Sequence, residues 1–304
     1  MSFEKSNTKV LHLELTTRCN AACPQCSRMD PDYNYTTDYD LSLEQVKSLF
    51  TEDFVRQLEK VYACGSFGDP AAAKNCWEIL SWFREINPEI TLGMNTNGGL
   101  RNTDFWSRLG KLFNRPYDYV VFSIDGLEDT NHLYRVNVVW DKVMANSSAF
   151  IAAGGSAHWD MLVYEHNEHQ VESCKKLAKN LGFTWFRSKV SSRFAIRPVE
   201  FLKPPRNFAL VHEDGPVKCQ ALSEKSLYVA ATGKLVPCCF IGNEIFRLES
   251  PVRDWIDEPA FDSLHKSLHT EPIALCKKYC STANSVSRVE NQFRENIELK
   301  NFKC

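Results

Sequence analysis

The sequence predicts an α/β fold: a partial (β/α)6 TIM-like barrel followed by a small C-terminal α+β domain. Three observations carry this. Strand and helix signals alternate through the first two thirds of the 304 residues, the mark of parallel βα units. Six such units are legible, short of the eight that close a barrel. Beyond Arg197 the periodicity gives way to Pro198, Pro204, Pro205 and Pro216, and then to a cysteine-rich stretch. The chain therefore divides into a core over 1–196, a linker over 197–214 and a second unit over 215–304, which is small for an independent apolar core.

Each element has its own signal. Residues 9–16 (KVLHLELT) alternate apolar and polar side chains, as a strand does. Residues 42–50 read as a helix: Ser42 and Gln45 form a capping box, and Leu43, Val46, Leu49 and Phe50 share one face. A short strand follows over 61–64, then a helix over 71–86 with Trp77, Leu80 and Phe83 among its apolar positions. Residues 90–95 form a strand, 103–113 a helix and 117–124 (YDYVVFSI) a buried strand. A helix over 140–153 stops at Gly154 and Gly155, and 158–164 is the fifth strand. Asn167 with Gln170 reads as a capping box for a helix over 170–181, closed by Gly182 as its C-cap, before the sixth strand over 183–190. In the second unit, 227–231 followed by Thr232 and Gly233 signals a hairpin, and 285–299 a final helix. Most of the seven tryptophans are expected in the core.

Charge and hydropathy exclude several classes of function. Lys plus Arg is 36 against 38 Asp plus Glu, a net charge of −2. This offers no polycationic surface for nucleic acid, so only a local groove remains for such a partner. No apolar run approaches the ~18 residues of a membrane span. The polar start, Met1 to Lys5, and the interruptions at His12 and Glu14 do not read as a signal peptide. A cytoplasmic protein is expected, and its 12 cysteines then point to metal or redox chemistry rather than to disulfides.

Cys19, Cys23 and Cys26 form C-x3-C-x2-C (RCNAACPQCSR) directly after the first strand. Loops at the C-terminal ends of parallel strands carry the chemistry of such folds. Three thiolates in one loop can hold three corners of a cubane iron–sulfur cluster and leave the fourth iron open. A zinc site would need His12 or a distant cysteine as a fourth ligand. With this spacing in this place, the chain resembles the radical S-adenosylmethionine (SAM) superfamily. The resemblance implies a 4Fe–4S cluster whose open iron binds the amino and carboxylate groups of SAM. One electron then cleaves SAM to methionine and a 5′-deoxyadenosyl radical, which abstracts hydrogen from substrate. Gln25 departs from the family pattern, which has an aromatic residue before the last cysteine.

The same resemblance assigns SAM contacts on later strands. CGSFGDP (64–70) resembles the family's Gly-Gly-Glu motif, with Gly68 and Asp69 facing the methionyl ammonium; Asp69 reads alternatively as a helix N-cap. NTNGG (95–99) offers Asn97, or simply an Asn-Gly turn. Ser123 and Arg135 match a serine and an arginine that reach the SAM carboxylate, for which a guanidinium fork is suited; Arg135 reads alternatively as a surface salt bridge. Asp125 is expected to orient its loop. His166 and His169, flanked by Glu165 and Glu168, form an apparent H-x2-H pair that reads more simply as the start of a helix.

The C-terminal cysteines add a second set. C-x18-C from Cys219 to Cys238 encloses Gly233, and Cys276 and Cys280 follow as C-x3-C. This resembles the SPASM and twitch extensions of radical SAM enzymes, in the shorter twitch form. The resemblance implies an auxiliary 4Fe–4S cluster on Cys219, Cys238, Cys276 and Cys280, with Cys239 or Cys304 as possible replacements, and makes the C-terminal unit an iron–sulfur domain. A zinc ribbon, and with it a zinc-binding structural or interaction protein, is the reading from another class. Cys76 and Cys174 read as buried free thiols; Cys64 stands at the end of strand two, near the implied SAM site, and Cys239 and Cys304 are candidate hydrogen donors. Relatives of this arrangement oxidise, epimerise or cross-link peptides, or dehydrogenate small molecules. A peptide or small-molecule substrate and an external one-electron donor such as flavodoxin or ferredoxin are the implied partners.

Overall fold

The computed structural model describes residues 5–29, 38–195, 198–206, 215–245, 259–281 and 295–299. The six core strands are β1 (Val10–Leu13), β2 (Lys60–Ala63), β3 (Thr91–Thr96), β4 (Tyr119–Ser123), β5 (Ala157–Val163) and β6 (Trp185–Val190). All pair in parallel in chain order, as the βα alternation requires. The helices of the core are α1 (Leu43–Leu49), α2 (Glu52–Arg56), α3 (Cys76–Ile86), α4 (Thr103–Leu112), α5 (Glu128–Tyr134), α6 (Trp140–Ala152) and α7 (Val171–Asn180). The C-terminal region adds α8 (Gln220–Ser223), β7 (Ser226–Val229), β8 (Leu235–Val236), α9 (Cys239–Ile245), α10 (Pro259–His269), α11 (Ala274–Cys280) and β9 (Glu295–Glu298).

Local signals form as the sequence indicates where they are self-contained. Ser42 and Gln45 close their capping box on α1. Gly154, Gly182 and Gly233 take positive φ of 96°, 87° and 81° at the ends of α6 and α7 and in the β7–β8 hairpin. The sheet buries one face in a continuous apolar core that includes Trp106, Trp159, Phe122 and Phe150, and Cys76 and Cys174 lie in it at 0% exposure.

Four expectations change. The first strand is shorter than 9–16, and the helix over 71–86 starts only at Cys76, after a 3-10 turn over Pro70–Ala72 capped by Asp69. Asn167 makes no capping bond to the next helix. Its carboxamide instead accepts from Tyr164 N at 2.7 Å and donates to Asp125 O and Leu162 O, both at 2.9 Å, so it ties β4 to β5. Gln170 likewise turns to the loop after β4, accepting from Leu127 N and donating to Asp129. Lastly, Glu295–Glu298 is a strand rather than the end of a helix: a short segment takes the state of the sheet edge it meets, and here it pairs antiparallel with β6. The rest of that predicted helix, and Cys304, lie outside the described residues.

Among the described residues the strands form one nine-stranded sheet, in the order β8-β7-β1-β2-β3-β4-β5-β6-β9. β7 pairs parallel with β1, so the C-terminal region extends the core sheet at both edges. Both otherwise open edges of the partial barrel are thereby covered.

Candidate active site

Alternation along parallel strands sends every second side chain to the concave face. Here that face is polar, unlike a filled barrel. Its lower layer is an aromatic belt. His12 stacks on Tyr62 at 4.3 Å and meets Tyr228 edge-on at 4.7 Å; Tyr119 stacks on His158 at 5.2 Å. The Lys60 ammonium bridges the two halves, 5.1 Å from the Tyr62 ring and 4.8 Å from that of Tyr119. Gly93 makes room between them, since a Cβ there would stand 2.7 Å from Tyr119 and 2.9 Å from Tyr62. Burial lowers His12 and His158 to about 4, so both are neutral rings at neutral pH. His12 Nε2 is hydrogen-bonded with the Cys64 carbonyl oxygen at 2.8 Å, so that nitrogen is engaged within the protein.

Above the belt lies a cavity of about 480 Å³, within the range of small-molecule sites. Cys19, Cys23 and Cys26 line it, as do Gly68, Asp69, Asn97, Ser123 and Arg135, so all the residues named from the first motif and its companions meet at one place. The cysteine loop is held from several sides. Arg28 donates to the carbonyls of Cys19 and Ala21 at 3.3 and 3.2 Å, and Ala22 N to Val136 O at 3.0 Å. The Cys19 sulfur accepts from Ala21 N at 3.3 Å and from Asn97 Nδ2 at 3.5 Å. An Arg135 nitrogen lies 3.8 Å from the Cys23 sulfur.

These residues fit an iron–sulfur cluster. Burial pushes the Cys19 thiol up to about 12 and raises Cys23 as well, so thiolates here need a cationic group such as ligated iron. The donors around their sulfurs are those that stabilise an anionic cluster. Among the described residues, no three His, Cys, Asp or Glu side chains gather round one point as a single metal ion needs. His166 packs against Tyr164 at 5.3 Å instead of forming a site with His169.

The predicted SAM contacts carry structural work as well. A Cβ on Gly68 would stand 1.8 Å from Thr16 O, so glycine is required by the approach of the β1 loop. Asp69 is buried and accepts from Ala71 N at 3.0 Å, Thr96 Oγ1 at 2.9 Å and Asn97 N at 2.7 Å, joining the loops after β2 and β3. It is thus the N-cap of a 3-10 turn while lining the cavity. Asn97 also donates to Asn20 at 2.9 Å. Arg135 is half-buried and pairs at 2.6 Å with the fully buried Asp125 rather than standing in a surface salt bridge. Gln25 is fully buried; its side chain accepts from Ser191 Oγ at 2.8 Å and its carbonyl from Arg193 at 3.0 Å. The residue that departs from the family pattern thus fastens the cysteine loop to the end of β6.

Several lining residues are not singled out by motif: Asp160, Arg187, Lys189 and Arg193 among them. Strand alternation places them on one face, but which face is concave is set only by the closed fold. Glu14 lies just beneath, at 0% exposure. It accepts from Phe67 N at 2.6 Å and from the Tyr228 hydroxyl, and burial raises it to about 7.

The C-terminal thiols form a second neighbourhood. Cys276 and Cys280 share one face of α11, and Lys218 N donates to Cys280 O at 2.9 Å, which brings Cys219 alongside. Phe240 stacks on Tyr279 at 4.5 Å and docks α9 on α11. Cys238 feels the charges of Cys280 and Cys219, and Cys276 those of Cys238 and Cys219. Cys239 packs instead against the cluster of Tyr228, Ala230 and Val236 and lies within electrostatic reach of Cys64 and Glu14 as well as of the adjacent Cys238. The 11 cysteines among the described residues are all free, and no helix among those residues is long and apolar enough to cross a membrane.

Comparison with known proteins matches residues 13–178 to the Radical SAM superfamily. A tungsten-containing aldehyde ferredoxin oxidoreductase cofactor-modifying protein of Pyrococcus furiosus is 32% identical over 121 residues, 39% of this chain and 31% of its own length. A PqqA peptide cyclase of Methylocella silvestris is 25% identical over 289 residues, 82% of this chain and 74% of that protein. The structure of Streptococcus suis SuiB bound to precursor peptide SuiA superposes with a TM-score of 0.59 at 13% identity, covering 87% of this chain and 65% of SuiB. The chain therefore spans less than two thirds of the Pyrococcus relative and of SuiB.

Proposed function

The chain belongs to the radical SAM superfamily, and from that premise we propose that it is a SAM-dependent radical enzyme that modifies a peptide or protein. The observation that carries the reading is a three-cysteine loop opening on a 480 Å³ cavity. The Methylocella protein, named as a peptide cyclase, and the Streptococcus protein, solved with a bound precursor peptide, support the substrate class.

Cys19, Cys23 and Cys26 would hold the 4Fe–4S cluster. When bound, that cluster supplies the electron that cleaves SAM and so generates the hydrogen-abstracting radical. The chain's own residues do the rest. Asn97 and Arg135 orient the cysteine loop and place donors on its sulfurs. Gly68, Asp69 and Ser123 form the wall where SAM would lie. The stacked belt of His12, Tyr62, Tyr119 and His158 forms the floor beneath that wall. Cys219, Cys238, Cys276 and Cys280 would hold an auxiliary 4Fe–4S cluster in a twitch-like unit over 215–304, suited to take up the electron left on substrate. A flavodoxin- or ferredoxin-like donor and a cytoplasmic setting complete the proposal; free thiols suit a reducing compartment.

Anaerobic reconstitution followed by iron, sulfide and zinc analysis tests it. About eight irons per chain is expected for two cubanes, with 5′-deoxyadenosine formed from SAM under dithionite. Zinc without sulfide overturns the reading.

A further inference from the structure

The cavity wall formed by β5 and β6 carries more positive charge than its carboxylates match. On β5 and β6, Asp160, Arg187 and Lys189 all line the cavity. Arg187 engages Asp160 with two nitrogens, Nε donating to Oδ1 at 2.8 Å and Nη2 to Oδ2. That fork matches one guanidinium to one carboxylate and neutralises it. The Lys189 ammonium then stands 3.6 Å from the same, already engaged Oδ2. Two cations share one anion, leaving about one net charge. Among the other lining cations, Arg135 faces Asp125 at 2.6 Å, and Arg193 is turned to the cysteine loop, where it donates to the neutral Gln25 carbonyl at 3.0 Å and keeps its charge. Asp69, the remaining lining carboxylate, is saturated by Thr96, Ala71 and Asn97.

We propose that Lys189 is a substrate-recognition residue that pairs with a carboxylate of the substrate, so that this enzyme acts on or beside an acidic residue of its peptide. This rests on the proposed function and adds the substrate's charge. Burial holds Lys189 below the ordinary lysine range, which an incoming anion reverses. Lys189 pairs with Leu162 across the two strands, so its ammonium rises beside an apolar lining residue that can pack against the substrate's carbon chain.

SAM has a carboxylate of its own, and the test separates the two sources. The anaerobically reconstituted holoenzyme with SAM bound is titrated with two capped tripeptides, acetyl-Gly-Glu-Gly-amide and acetyl-Gly-Gln-Gly-amide, followed by saturation-transfer NMR. SAM affinity is measured separately by equilibrium dialysis for wild type, Lys189→Met and Lys189→Arg. The wild type should bind the glutamate peptide about tenfold more tightly than the glutamine peptide. Lys189→Met should lose that preference, Lys189→Arg should keep it, and SAM affinity should stay within about twofold in both. Equal binding of the two peptides by wild type, or a loss of SAM affinity in Lys189→Met that Lys189→Arg restores, overturns the proposal. If the holoenzyme lacks iron or does not cleave SAM, the underlying reading has failed instead.

Discussion

The two cysteine sets differ in what surrounds them more than in how many they are. Cys19, Cys23 and Cys26 stand on a cavity of about 480 Å³, with Asn97 and Arg135 turned to their sulfurs. Cys219, Cys238, Cys276 and Cys280 are chiefly one another's neighbours. The first set faces space that a small molecule can fill, and the second sets thiols near thiols. On the proposed reading, reactivity would follow from an open position and a polar surround, and storage of an electron from closure.

The sharpest way to break this comparison is Cys23→Ala. We expect iron to fall from about eight to about four per chain, with 5′-deoxyadenosine formation under dithionite lost entirely; retained SAM cleavage would remove the first set from the chemistry. Next comes the division between adjacent thiols. Cys238→Ala should also lose about four irons while SAM cleavage without substrate persists, whereas Cys239→Ala should keep its full iron, because Cys239 packs against the cluster of Tyr228, Ala230 and Val236. Equal iron loss in both variants would erase the distinction.

A smaller effect tests the joint between the regions. The Tyr228 hydroxyl, on β7, donates to Glu14, on β1. Burial raises Glu14 from 4.5 to about 7, so the folded state favours its protonated form. Stability is then fullest below the unfolded value and declines as pH rises through about 7. Glu14→Gln should match wild type at pH near 5 and exceed it at pH near 8, by on the order of 2 kcal/mol, as read by denaturant unfolding at the two pH values. A gain that does not depend on pH would sink the idea. The smallest expected change is Asn97→Ala. Loss of one donor to the Cys19 sulfur should lower the site cluster's midpoint potential by roughly 40 mV, the equivalent of about 1 kcal/mol for one electron, in an EPR-monitored redox titration; an unchanged potential would show that Asn97 only braces the loop.

Much of the fold was legible because its signals are local. The capping box at Ser42, the positive-φ glycines and the alternation of strands depend on neighbours within a few residues, and they form as the sequence indicates. Short elements escaped that reading: α2 and α5, with five and seven residues, are too brief for helical periodicity to register. Glu295–Glu298 was misread because an edge strand owes its state to the partner it pairs with. Asn167 and Gln170 were misread because their side chains serve distant loops instead of the helix beside them.

By itself the sequence determined the first cysteine loop and its place after a strand, because motif spacing is a property of the chain; Gly68, Asp69, Asn97, Ser123 and Arg135 were named only through the resemblance to the radical SAM family. Only the tertiary structure decided that β7 and β9 extend the core sheet, that Glu14 is held by Tyr228 from 214 residues away, and that Asp160, Arg187 and Lys189 share one wall. The physical reason is that alternation fixes which side chains lie together on a strand, while the curvature and pairing of the whole sheet decide which of its faces encloses the cavity.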